Sequence, residues 1–562
     1  MSRNRLRPAL LEVLRDGYSS TAFSHDLLAG VLVGIIALPL SIALAIASGA
    51  PPAAGVVTAV VAGGLISLLG GSRYQVGGPT GAFVVLVYQI IHTHGLEGLA
   101  VATLMAGVIL VLMGFARLGN VIRFIPYPVT VGFTAGIAVI IFAAQIRDFL
   151  GLEVDAVPPE FMGKIVTFGR HLNSASPSTV FLALASVLII QFWPRVTRKI
   201  PGSLIAVVLG TLVVHFFRLP VETIGSRYGS VASSLPMPRI PHVDLVMIRE
   251  LVQPATAIAL LAGIESLLSA VIADGMTGRR HDSNTELIAL GVANIVSPLF
   301  GGLPATGALA RTATNIKAGA SSPVAGIVHA LTLLLILLLF GKWAALIPMP
   351  TLSAILVIVA YHMGQWHLIR GILRSPRSDV VVLVTAFLLT VLVDITVAIE
   401  VGVVMAALLF MRRMAEVSDV SFISESSDLE LDSVRLRRPI PVLPPGVEVY
   451  ELQGAFFFGA ADKFRDALSV IRTRPQVLVL RMRGVAAIDS TGLRALEDIV
   501  RTSLHEGTTV VISGLQPQPR RTLERNGLLE VIGVANLCLD IDTAIERADA
   551  ILRSEEQASS AV

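Results

Sequence analysis

Long apolar stretches alternate with short polar connections over most of this chain. Apolar runs near 26–48, 52–70, 78–92, 97–114, 122–146, 178–193, 200–216, 251–272, 284–300, 306–318, 323–341, 349–364, 379–394 and 396–412 read as fourteen membrane-embedded helices. A full crossing needs about 20 apolar residues. The third and tenth runs are too short to cross alone. They read as half-helices, which are stable at membrane depth only where they line a protein-enclosed cavity. Further on, the pattern changes to that of a soluble α/β domain. Val447–Gly454, Val477–Met482 and Thr508–Ser513 read as strands, and 460–473, 490–504 and 517–527 as helices. The implied division is an N-terminal segment 1–25, a membrane domain 26–412 with halves at about 26–216 and 251–412, a linker 413–440, an α/β domain 441–555 and a tail 556–562.

The two short runs open with nearly the same break. Gly77-Gly78-Pro79-Thr80-Gly81-Ala82 precedes the third, and Gly301-Gly302-Leu303-Pro304-Ala305-Thr306-Gly307-Ala308 precedes the tenth. Thr80 and Thr306 lie 226 residues apart. Ile125-Pro126-Tyr127-Pro128 and Ile347-Pro348-Met349-Pro350 lie 222 apart, and Leu40–Ala45 echoes Ser266–Val271 at a similar offset. A near-constant offset implies two seven-span halves. An odd number of spans turns the second half upside down, an inverted repeat whose paired interruptions point to a transporter binding site.

The breaks carry a definite chemistry. A helix N-terminus presents unsatisfied N–H groups and about half a positive charge. Two such ends aimed at one point make an anion site without a full charge. Glycines 77, 78, 81, 302 and 307 let backbone approach a ligand, and Thr80 and Thr306 offer hydroxyls. Arg311, one turn into the tenth run, supplies positive potential or pairs with an oxyanion; the alternatives are a snorkelling side chain or a structural partner for a carboxylate. Glu265 lies inside the eighth run. Low dielectric favours the neutral form of a carboxyl group, so Glu265 is the leading candidate to exchange a coupling proton. An ion pair with Arg311 or a backbone hydrogen bond is the alternative. Ser41, after Pro39 in the first run, either faces the site or packs at a kink. Asp274, Asp394 and Glu400 read as interfacial. His215 and His329 read as hydrogen-bonded packing residues, and His92 and His94 as an exterior loop too thin for a metal.

Composition supports this picture. Of 562 residues, 54% are hydrophobic and 15% charged, where soluble domains carry about 25% charged residues. The mean hydropathy is +0.76. A net charge of +3 gives no reason to expect nucleic acid as a partner. The basic residues sit beside the spans instead. Arg117 and Arg123, Arg195, Arg198 and Lys199, Arg279 and Arg280, Arg370, Arg374 and Arg377, and Arg412 and Arg413 fall on one side with Arg3, Arg5, Arg7 and Arg15. The positive-inside rule makes that side cytoplasmic. The longer segment 217–250, with Arg218, Arg227, Arg239 and Arg249, is then outside, and fourteen spans return the C-terminus to the cytoplasm. A basic start and a first run of membrane-span length argue against a cleavable signal peptide. Cys538 has no partner within the sequence. No Walker A motif and no nucleophile–base constellation is evident, so neither enzymatic catalysis nor a cofactor is expected. In the α/β domain, Asp489-Ser490-Thr491-Gly492 reads as a helix cap, which leaves room for a phosphorylation or docking loop.

Three segments together resemble the SulP anion-transporter family: Gly34-Ile35-Ile36-Ala37-Leu38-Pro39; Gly70-Gly71-Ser72-Arg73 followed by Gly78-Pro79-Thr80; and Ala310-Arg311-Thr312. Asp489–Gly492 resembles the corresponding loop of that family's STAS domain. The resemblance implies a seven-plus-seven inverted repeat split into core and gate domains, an elevator-like motion, a homodimer, and a multi-pass protein of the bacterial inner membrane. It implies binding at Thr80, Gly81, Ala308, Leu309, Ala310 and Arg311, with Glu265 at the acidic coupling position. Some relatives have serine where this chain has Ala310 and glutamine where it has Leu40, so backbone N–H groups are expected to carry more of the binding here. Ala262–Leu268 and Ala273–Gly278 resemble the bacterial DauA type, a proton-linked C4-dicarboxylate transporter. The expected substrate is a small inorganic or organic anion of the dicarboxylate, sulfate or bicarbonate class, with protons or sodium as coupling ion and a cytoplasmic protein or nucleotide as a possible STAS ligand. The rival readings are a nucleobase transporter on the same fold and a non-transporting membrane sensor.

Overall fold

The computed structural model describes residues 6–119, 127–154, 157–158, 160–197, 200–229, 234–393, 395–417, 419–423, 443–457 and 475–560. The chain forms two compact units, Met1–Ala406 and Ala407–Val562.

In the first unit the element order repeats. Helices α1 (Ser20–Ala47) and α2 (Pro52–Leu69) lead to a two-residue strand, β1 (Gly77–Gly78), and then to α3 (Val84–Phe115), which is entered through a 3₁₀ turn at Gly81–Phe83. Gly95 leaves helical geometry at φ 69° and divides α3 into a half-helix and a longer arm. Helices α4 (Tyr127–Leu150), α5 (Pro177–Phe192) and α6 (Gly202–Phe217) complete the first half. The second half has α7 (Leu245–Thr277), α8 (Ser283–Val296), strand β2 (Thr306–Gly307), the nine-residue half-helix α9 (Leu309–Lys317), α10 (Val324–Phe340), α11 (Met349–Met363), α12 (Arg377–Leu392) and α13 (Ile395–Val417). Among the described helices, eight are long and apolar enough to cross a membrane, the kinked α3 counting as one.

The helices sort into two groups by packing. The arms of α1, α2, α3, α7, α8, α9 and α10 pack on one another, while α4, α5, α6, α11 and α12 form a second set. Small residues bring the first group close. An added Cβ on Gly107 of α3 would lie 2.7 Å from the Gly291 carbonyl oxygen of α8, and one on Gly291 would lie 2.6 Å from that of Gly107. Such contacts replace the hydrophobic drive that helices lack in lipid.

The second unit holds a five-stranded sheet in the order β3 (Asp419–Ile423), β4 (Val447–Phe456), β5 (Val477–Ile488), β6 (Thr509–Ser513), β7 (Leu537–Cys538). The β3–β4 pair is antiparallel and the others parallel. Alternation along β5 serves two cores: Leu478 and Leu480 pack with α14 (Ser490–His505) on one face. Val477 and Val479 pack with α17 (Ile541–Ser560) on the other. Helices α15 (Pro517–Arg525) and α16 (Leu528–Ile532) lie between β6 and β7 in the chain. Strand β3 falls in the stretch read from sequence as linker, and β5 runs six residues past its expected end. The expected helix 460–473 lies outside the described residues, as do Arg3, Arg5, Arg123, Ile125, Pro126, Arg198, Lys199 and Asp394.

Candidate functional site

The two breaks touch. Strands β1 and β2 pair antiparallel, with Gly77 opposite Gly307 and Gly78 opposite Thr306. The Ala308 N–H extends the bridge by donating to Val76 O at 2.9 Å. Each strand runs straight into the start of a half-helix. The first N–H groups of the Gly81 turn and of α9 therefore lack acceptors within their own helices and sit side by side. Glycine is required here: Gly78 has φ +150°, and a Cβ on it would lie 2.2 Å from Arg311 Nη1.

Helix α7 fastens both breaks. Thr80 Oγ1 donates to Glu265 Oε2 at 3.0 Å. One residue on, Ser266 Oγ accepts the Gly307 N–H at 2.8 Å and hydrogen-bonds Thr306 Oγ1 at 2.8 Å. Thr306 Oγ1 in turn donates to Ala262 O at 3.2 Å. Another turn along, Ser269 Oγ donates to Thr312 Oγ1, which also accepts the Val76 N–H, each at 3.2 Å. Upstream of the second break, Asn294 of α8 donates to Ala305 O at 2.9 Å and accepts its N–H at 2.8 Å. Thr58 of α2 accepts the Leu303 N–H at 2.6 Å.

The expected binding residues thus come together, while Thr306 and three histidines depart from their readings. Thr306 is fully buried and gives its hydroxyl proton to α7, so it offers nothing to a ligand. Arg311 does not pair with Glu265. It is buried, and its Nη2 donates to Ser41 Oγ and to Pro79 O, each at 3.2 Å. Among the described residues no carboxylate forms an ion pair with it. His329 is buried, and neither ring nitrogen has a hydrogen-bonding partner among the described residues. His215 is exposed beside Phe216, and His94 meets Glu250 at 3.3 Å rather than lying in a loop.

Ala308 is buried, but Leu309 is 37% exposed and Ala310 is exposed too. An added Cβ on Gly81 would meet Met363 Sδ of α11 at 3.0 Å and Ile141 of α4 at 3.4 Å. The start of the first half-helix therefore faces the second helix group. Sequence reasoning missed Ser266, Ser269, Asn294 and Thr58 as anchors. Their only signal was polarity inside apolar runs.

In the second unit, Asp489 Oδ1 accepts the Gly492 N–H at 2.7 Å, a helix N-cap. Gln518 of α15 grips the residue before it, accepting the Ile488 N–H at 2.9 Å and donating to Ile488 O at 3.1 Å. Ser490 and Thr491 are exposed. Among the described residues no cluster of His, Cys, Asp and Glu is arranged to hold a metal.

Comparison with known proteins gives a consistent result. The profile of the sulfate permease family matches residues 23–386, and that of the STAS domain matches 439–544. The candidate sulfate transporter YvdB of Bacillus subtilis (strain 168) is 42% identical over 520 residues, covering 92% of this chain and 96% of its own. The bicarbonate transporter BicA of Picosynechococcus sp. (strain ATCC 27264 / PCC 7002 / PR-6) is 30% identical over 536 residues, covering 93% and 94%. The structure of the murine anion transporter Slc26a9 in its inward-facing state superposes with a TM-score of 0.85 at 20% identity, covering 98% of this chain and 96% of that one. At that identity the match speaks to fold alone.

Proposed function

The chain belongs to the sulfate permease family and carries a C-terminal STAS domain, and from that premise we propose that it moves a small anion of the sulfate, bicarbonate or C4-dicarboxylate class across the bacterial inner membrane by secondary active transport. The observation that carries the reading is the bridge between the two breaks, which sets two helix N-termini side by side. The anion sits against the N–H groups that follow Thr80 and Ala308, beside Gly81, Leu309 and Ala310. Arg311 contributes positive potential from behind. Glu265 holds the coupling proton and reads the site through its hydrogen bond to Thr80. The helices that carry the breaks move as a core against α4, α5, α6, α11 and α12 as a gate, in an elevator-like step. Both termini are cytoplasmic, the protein is a homodimer, and Ser490 and Thr491 offer the STAS domain a docking or phosphorylation surface.

The test is uptake by proteoliposomes under an imposed proton gradient, with sulfate, bicarbonate, succinate, fumarate, aspartate, chloride and uracil as substrates. Gradient-dependent accumulation of at least one anion is expected. Uptake of uracil without any anion, or no uptake at all, overturns the proposal.

A further inference from the structure

Away from the bridge, one buried cation lacks an anionic partner. Lys164 stands on a short helix, Phe161–Arg170, in the segment that joins α4 to α5. The residue is 6% exposed, and among the described residues no carboxylate pairs with its ammonium group. What the ammonium meets is an aromatic face. Lys164 Nζ lies 4.5 Å from the centroid of the Tyr88 ring, inside the ~6 Å over which the negative face of a ring attracts a cation. A lysine that merely snorkels lays its stem on apolar surface and carries its charge out to water. Here the charge itself is set over the ring.

The two partners belong to different helix groups. Phe161–Arg170 packs on α4 and α12, and Phe168, one turn beyond Lys164, is buried in a cluster with Leu152 and Val154. Tyr88 lies about two turns past the Gly81 break, in the half-helix that opens α3. Its ring packs on the turn between α1 and α2, where a Cβ added to Gly49 would lie 3.3 Å from Tyr88 Cδ2. It also stacks with His92, the ring centroids 6.3 Å apart. Lys164 is thus fixed to the group proposed above as gate, and Tyr88 to the group proposed as core. In the topology read from sequence, the connection between the third and fourth runs and that between the fifth and sixth are both exterior.

A movement of one group against the other must break this contact and re-form it in every cycle. We propose that Lys164 and Tyr88 form a latch between gate and core that closes the exterior end of the anion pathway, so that one cation–ring contact sets how often the site opens to the outside. The choice of groups suits the task. A carboxylate in place of Tyr88 would hold the ammonium but add a negative charge that repels an incoming anion. A ring holds the cation and adds none. Lys164 and Tyr88 are positioning residues, acting on the anion through the placement of the core. The latch rests on the core-and-gate reading above.

The test uses the full chain with Cys538→Ser, which removes its single cysteine, and Leu309→Cys as reporter, because Leu309 is exposed beside the bridge. A membrane-impermeant maleimide is applied to intact cells and, separately, to inverted membrane vesicles. Lys164→Met and Tyr88→Leu should each raise the labelling rate in intact cells roughly two- to thirtyfold, the shift expected from losing a contact worth about 0.5–2 kcal/mol. Neither should raise it in inverted vesicles. The double variant should match the single ones, since the contact can be lost only once. Lys164→Arg and Tyr88→Phe keep the cation and the ring and should stay within about twofold of the parent. Unaltered rates in intact cells, a rise from both faces, a rise in inverted vesicles alone, or effects that add in the double variant overturn the latch. Either single variant decides if the other fails to insert. Labelling needs no transported anion, so the two readings fail separately. A labelling response without anion uptake by the unsubstituted chain overturns the transport reading and leaves the latch, whereas uptake with unmoved labelling overturns the latch alone.

Discussion

Gly55→Ala should loosen the site from outside it. Gly55 lies where α2 crosses α1, and an added Cβ would sit 1.9 Å from Ser41 O, 2.7 Å from Ser41 C and 3.1 Å from Ala45 Cβ. A carbon–oxygen contact normally rests at about 3.3 Å or more, so the helices must part by over an ångström. The obstacle is α1 backbone, which cannot rotate away as a side chain would. Overpacking of this kind costs about 1–3 kcal/mol, and the upper end applies because backbone must move. Alanine's better helix propensity returns roughly 0.5–1 kcal/mol, leaving about 2 kcal/mol of net destabilisation. The displacement also draws Ser41 Oγ away from Arg311 Nη2, now 3.2 Å apart. Gly275→Ala is the control: it lies in exposed α7 helix with nothing within 4 Å of its added Cβ, so the propensity gain stands alone. Thermal unfolding followed by intrinsic fluorescence in detergent, together with proteoliposome uptake, measures both effects. Gly55→Ala should unfold a few degrees lower and transport more slowly, while Gly275→Ala should match or exceed wild type in stability. A Gly55→Ala protein with unchanged midpoint and uptake would refute the reasoning.

Other outcomes follow from the hydrogen bonds. Glu265→Gln keeps an acceptor for Thr80 but has no proton to release, so uptake driven by a pH gradient should fall to background while anion exchange without a gradient persists; continued proton-driven uptake would remove Glu265 from the mechanism. Thr80→Val deletes the donor 3.0 Å from Glu265; an ordinary hydrogen bond is worth about 0.5–1.5 kcal/mol, and a KM raised roughly two- to tenfold is expected in the uptake assay. Asp489→Ala removes the cap of α14 and should cost about 1 kcal/mol, seen as faster amide exchange in the first turn of that helix in the full chain; unaltered exchange there would mean the cap is not what holds the loop.

Much of the membrane domain was legible before any coordinates. The tenth run, read over 306–318, is a strand and half-helix spanning 306–317, because a break rich in glycine and proline is a local event. The third and fourth runs are separated by Gly95 in a positive-φ conformation, within the gap the hydropathy pattern left. The fifth run, read from 122, is described as helix only from Tyr127. In the second unit, α14 and α15 follow their expected positions closely, since amphipathic periodicity and caps mark them. Strand β3 escaped notice because it is short and pairs at the sheet edge with a strand far along the chain.

Hydropathy, glycine and proline are properties of neighbouring residues, so the sequence by itself determined where the spans lie, that two of them are broken, and that the breaks are symmetry mates. Side-chain direction is not such a property. The partners of Thr80 and Ser41 stand 185 or more residues away along the chain. Only helix packing decided that the breaks bond to each other, that Thr306 turns inward to α7 while Thr80 reaches Glu265, and that Arg311 bends back toward Ser41 and Pro79. The tertiary structure thus gave Thr80, Thr306, Ser41 and Arg311 their partners, because most buried polar groups are hydrogen-bonded and these partners come together only in three dimensions.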